Sequence, residues 1–98
     1  MFHIVWVFRA APERAAEFEA AYGSEGGWVG LFREGAGYRD TELFQSRADP
    51  SRFLTVDRWD SRGANEQFRR ERGSDYARLD TACEALTVQE EFLGAFGE

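Results

Sequence analysis

The strongest pattern along the chain is its opening run, "FHIVWVFR" at residues 2–9, where β-branched and aromatic residues follow one another almost unbroken. Such a run predicts a strand. Alternation puts Phe2, Ile4, Trp6 and Phe8 on one face and His3, Val5, Val7 and Arg9 on the other. Both faces are substantially apolar, so both call for a cover. From residue 11 the period changes. Ala11, Ala15, Phe18 and Tyr22 recur at helical spacing, with Pro12 suited to the first helical position and Gly23 to the stop. Ser24 is placed to cap a short second helix bearing Trp28, Leu31 and Phe32. Gly26, Gly27 and Gly30 weaken that helix, so the segment is expected to be irregular or mobile.

Strand character returns at about 38–46, after the turn "EGAGYRD", and again at 52–59, after an Asp49-Pro50 pair that marks a hairpin connection. The third strand ends on Trp59. Asp60 or Ser61 then caps a helix running to about Arg72, where Gly73 stops it. Ser74 caps another helix, whose Tyr76, Leu79, Cys83 and Leu86 form one apolar stripe, and a last strand follows at about 87–96. The order strand, helix, strand, strand, helix, strand predicts an α+β, ferredoxin-like protomer in one domain, 1–98, with an antiparallel sheet and its helices on one face. The other sheet face would be bare in a monomer. A homodimer with two sheets packed face to face covers it.

Composition narrows the partners. The net charge of −6 argues against nucleic acid, whose backbone is bound by Lys and Arg. The run Arg69-Arg70-Glu71-Arg72 reads as a solvated helix face. A single cysteine, Cys83, forms no intramolecular disulfide, and the apolar N-terminal run lacks a basic leader and is too short to span a membrane. The expectation is a cytoplasmic protein with no membrane partner. An aromatic share of 15% suits a flat, apolar ligand.

Catalytic signatures are sparse. One histidine and one cysteine leave no metal-ligand set, and no cofactor motif stands out. "GAGYRD" lacks the third glycine of a dinucleotide loop and leads into a strand, while "GSEGGWVG" lacks the Lys-Ser/Thr of a phosphate loop. Two groups remain for proton transfer. His3 is the only histidine, the residue type best suited by its imidazole to proton transfer near neutral pH. Asp57 shares a strand face with Phe53 and Trp59, where burial would raise its pKa, although with twelve arginines in the chain an ion pair is its expected partner.

With this element order, and with "FLTVDRWDS" as a strand ending in Trp and a helix cap, the sequence resembles the antibiotic biosynthesis monooxygenase family of dimeric α/β barrels. The resemblance runs from the strand-to-Pro helix entry, Phe8 to Glu19, to the closing "EEFLGAF". It implies a homodimer with a pocket between sheet and helices in each protomer. It also implies oxygenation without metal or flavin, in which a deprotonated, electron-rich aromatic substrate passes electrons to oxygen itself. Haem-degrading relatives combine a first-strand Asn, the Trp and a helix His. Only the Trp carries over, as Trp59, and Phe68 stands about where the iron ligand would be. The pocket residues so expected are Trp28, Phe32, Trp59, Phe68 and Tyr76, around a small aromatic or apolar molecule, with Asp57 or His3 as proton acceptor. A non-catalytic binding protein using the same pocket is the alternative.

Overall fold

In the computed structural model, which describes residues 1–98, four strands form one sheet: β1 (Phe2–Ala10), β2 (Tyr38–Gln45), β3 (Arg52–Trp59) and β4 (Thr87–Gly97). Their spatial order is β2-β3-β1-β4, and each neighbouring pair is antiparallel. Four helices, α1 (Ala15–Tyr22), α2 (Gly27–Phe32), α3 (Arg62–Glu71) and α4 (Gly73–Cys83), connect them, and a 3-10 turn at Glu84–Leu86 leads into β4. This is the α+β, ferredoxin-like arrangement that the alternating periods predict.

The core lies between the helices and one sheet face. Phe2 and Phe8 from β1 and Phe53 and Trp59 from β3 meet Phe18, Tyr22, Trp28, Phe32 and Phe68 from the helices. Rings do most of the filling: Phe18 stacks on Tyr22 at 4.3 Å and tilts against Phe53 at 4.8 Å. Aromatic pairs of this kind add about 0.5–1.5 kcal/mol each beyond the area they bury. The other sheet face carries Val5, Val7, Leu54 and Val56 half-buried, flanked by Phe44, Leu93 and Phe96, which are about half exposed. A shift in register between Val5 and Trp6 leaves Leu93 without a partner on β1. That bulge holds Phe92 beside Trp6, at 5.3 Å, while Leu93 lies with Val7, Phe44 and Leu54.

Helix boundaries differ from expectation at three places. Pro12 is not at the first helical position: Ala11 to Arg14 form a turn with Glu13 at φ 66°, and α1 begins only at Ala15. A left-handed residue cannot lie inside a right-handed helix, so the turn sets the start. Ser24 caps nothing. Gly26 precedes α2, and the segment is a regular helical turn and a half with Trp28, Val29, Leu31 and Phe32 all buried. Burial of four large side chains outweighs the glycine propensities. Gly73 does not terminate α3; it opens α4, so Ser74 lies inside that helix rather than capping it, and the break between the two helices falls at Arg72. The cap at Ser61 is as expected, its hydroxyl accepting from the Ala64 N–H at 3.1 Å.

Candidate functional site

Between the sheet and the helices lies a half-enclosed cavity of about 280 Å³. Its floor is the sheet: Trp6 and Phe8 from β1, Thr55 and Asp57 from β3, Thr41 from β2. Strand alternation determines this, because Phe53, Thr55, Asp57 and Trp59 all point toward the helices. Its walls are Tyr22, Trp28 and Phe32 from α1 and α2 and Arg69 and Tyr76 from α3 and α4, with Tyr76 edge-on to Trp28 at 4.9 Å. Asp80 and Glu90 complete the lining with two further carboxylates.

Asp57 is the chemically distinctive group. It is buried, and no arginine pairs with it, contrary to the ion pair expected from the sequence. The arginine nearest the site, Arg69, is placed over the Tyr76 ring instead, with its guanidinium carbon 4.0 Å from the ring centroid. Burial pushes the Asp57 carboxyl up to about 6, partly offset by a hydrogen bond that the Thr41 hydroxyl donates to Oδ1 at 2.7 Å. Glu90 is also raised, by desolvation and then by the neighbouring Asp80 charge. Desolvation raises Tyr76 too, against the opposing effect of Arg69. Burial raises the Tyr22 hydroxyl and the Cys83 thiol; the nearby Trp28 indole N–H opposes this only in part and makes no aligned hydrogen bond.

Of the residues proposed from the sequence, Trp28, Phe32, Tyr76 and Asp57 lie together on this lining. Trp59 and Phe68 do not. Each is only 1% exposed and stands one layer behind Phe32, which meets them edge-on at 5.9 and 5.6 Å. Gly35 passes so near both rings that a Cβ there would come within 2.8 Å of Phe68 and 3.0 Å of Trp59. His3 is on the opposite sheet face from Asp57, one residue out of phase, paired across the sheet with Arg58 and Phe96. Residues that the sequence reading did not select include Trp6, Phe8, Tyr22, Thr41, Thr55 and Arg69. Trp6 and Phe8 share a phase with Phe2 and Ile4, and Thr55 shares one with Asp57, so alternation carries their signal. Nothing in the order of residues brings Thr41 to Asp57, since that contact is made across two strands.

The fold and the buried carboxylate define an α+β protein with an aromatic-lined cavity between its sheet and helices. The antibiotic biosynthesis monooxygenase family model matches residues 1–75, and the chain belongs to that family. Among solved structures, it is similar to a variant of SnoaB, a cofactor-independent oxygenase from Streptomyces nogalater: 21% identity and a TM-score of 0.79, over 99% of this chain and 91% of that one. A Deinococcus radiodurans protein assigned to the same class of monooxygenase is 19% identical with a TM-score of 0.74, over 100% and 92% of the two chains. PA3566 from Pseudomonas aeruginosa is 21% identical with a TM-score of 0.69, over 99% and 92%. No curated protein matches the sequence.

Proposed function

We propose that the protein is a cofactor-independent monooxygenase of electron-rich aromatic molecules, and that Asp57 is its general base. The observation that carries this reading is a carboxylate buried in an aromatic cavity with no cation beside it. A base is most effective when its pKa lies near the working pH, and the value of about 6 meets that condition. Family membership and the likeness to SnoaB support the same reaction class.

The chemistry balances without a further reagent. Asp57 takes the acidic proton of a fused-ring phenol or its keto tautomer. The resulting carbanion gives one electron to dioxygen, and the radical pair combines into a peroxide anion, which takes the proton back from Asp57 to become the hydroperoxide. Breaking the O–O bond and the remaining C–H bond at the same carbon releases water and leaves a quinone carbonyl. One oxygen atom stays in the product and the other leaves as water; all four electrons come from the oxidised carbon. Trp28, Phe32 and Tyr76 stack on the rings, and this aromatic side of the half-enclosed cavity keeps the anion less hydrated and so more easily oxidised.

The protein acts as a homodimer in this reading. The uncovered sheet face is apolar over its centre and matches the face a second copy would present. The test is oxygen consumption with a panel of fused-ring phenols and quinols, for the wild type and Asp57→Asn. Oxygenation that falls by about 10²–10⁴-fold in the variant supports the assignment. Full activity in a folded Asp57→Asn protein would remove Asp57 as the base.

A further inference from the structure

We infer that Thr41 and Tyr38 form a two-step hydrogen-bond relay that positions the Asp57 carboxylate, holding Oδ1 and leaving Oδ2 to face the substrate. Their role is to position Asp57, and it rests on Asp57 being the base proposed above. The geometry orders the donors. The Thr41 hydroxyl donates to Asp57 Oδ1 at 2.7 Å, so its single hydrogen is committed. The Tyr38 hydroxyl lies 2.7 Å from the same Thr41 oxygen, and it must therefore be the donor of that second bond.

Each member of the relay is fixed by packing. Tyr38 stands edge-on to Trp59 at 5.2 Å and tilts against Phe32 at 5.6 Å. Trp59, which does not touch the cavity, thereby holds the ring whose hydroxyl starts the relay. Thr41 is paired directly with Asp57 across the β2–β3 ladder, so the Thr41–Asp57 bond spans neighbouring strands at the same register, while the Tyr38–Thr41 bond stays within β2. β-branching restricts Thr41 at χ1, which keeps its hydroxyl pointed along the floor of the cavity.

The relay also tunes the base. Thr41 is the one hydrogen-bonding group acting on the carboxylate, and without it burial would act unopposed. The other titratable and charged groups around the cavity are Tyr22 on α1, Arg69 on α3, Tyr76 and Asp80 on α4, and Glu90 on β4. None of them makes an ion pair with Asp57, so none replaces the lost donor. Removing the Thr41 hydroxyl without changing side-chain volume should raise the Asp57 pKa by about one unit.

The experiment compares wild type, Thr41→Val, Thr41→Ser and Tyr38→Phe in two readouts. The first is titration of the Asp57 carboxyl carbon by NMR in the labelled protein, which needs no substrate. The second is the pH dependence of oxygenation of a fused-ring phenol. Expected is an upward shift of both midpoints by about one unit in Thr41→Val, a smaller one in Tyr38→Phe, and recovery in Thr41→Ser. An unmoved Asp57 titration in folded Thr41→Val would overturn the relay, whatever the activity. Shifted titrations with oxygenation indifferent to Asp57→Asn would leave the relay standing and remove Asp57 as the base. Should Thr41→Val fail to fold, the comparison rests on Tyr38→Phe and Thr41→Ser. There, a Tyr38→Phe titration identical to wild type would be the overturning result.

Discussion

Asp57 and Trp59 sit two residues apart on the same strand face, and their surroundings give them opposite duties. Asp57 has a carboxyl whose folded pKa, about 6, exceeds its ordinary value of 3.8. Below pH 4 the acid is neutral whether the chain is folded or not, and it contributes nothing to the pH dependence. Between pH 4 and 6 the unfolded chain releases the proton while the folded one keeps it, so stability falls as pH rises, by about 3 kcal/mol in all. Above pH 6 the loss is constant. Asp57→Asn should therefore be more stable than wild type at pH 8 and nearly equal to it at pH 4, as urea unfolding at the two values will read. Equal stability at both would mean the carboxyl is solvated. Trp59 fills space instead. At 1% exposure, Trp59→Ala should cost about 3–5 kcal/mol, with much of it recovered in Trp59→Phe. A loss below 2 kcal/mol would mean the ring borders the cavity rather than the core.

Among the elements, α2 does most with least. Six residues cannot hold a helix on propensity, and two of these are glycine. Its four buried side chains hold it against the rest of the core, and two of them, Trp28 and Phe32, form one wall of the cavity. Gly30 has open space where a Cβ would stand, with no neighbour within 4 Å. Gly30→Ala should therefore stabilise the protein by about 0.5–1 kcal/mol. Gly37, in the turn before β2, is the contrasting case. It has φ +91°, and a Cβ there would lie 2.7 Å from the Ala64 Cβ. Gly37→Ala should cost on the order of 1–3 kcal/mol, so thermal melts of the two variants should move in opposite directions. A rise in Tm for both would refute the strain assigned to Gly37.

At the scale of the molecule, the sheet divides two tasks. One face carries the cavity and the core, while the other is apolar over its centre, uncovered by its own chain and free of the candidate chemistry apart from His3. A homodimer through that face should bury well above 1,000 Å² in total. Light scattering at micromolar concentration should give a mass about twice that of one chain. Leu54→Asp, which sets a charge in the middle of the face, should give the monomer. A wild-type mass near that of one chain would exclude the dimer.

The periods of the sequence determined the elements and their order, since alternation in "FHIVWVFR" and "FLTVDRW" and helical spacing after Ser61 follow from backbone geometry alone. They also determined which strand residues face the helices, so Asp57 was legible as a buried acid. Helix ends were less so: Glu13 at φ 66° and the helical Gly73 depend on contacts made elsewhere. Tertiary structure decided the rest of the site. Whether an arginine reaches Asp57 is a matter of where side chains end in space, and Arg69 ends on Tyr76. Whether a tryptophan touches a ligand or the core depends on what stands in front of it, and Phe32 stands in front of Trp59. The Tyr38–Thr41–Asp57 relay joins residues as far as 19 positions apart through the register of two strands, and a one-residue slip of that register would abolish it.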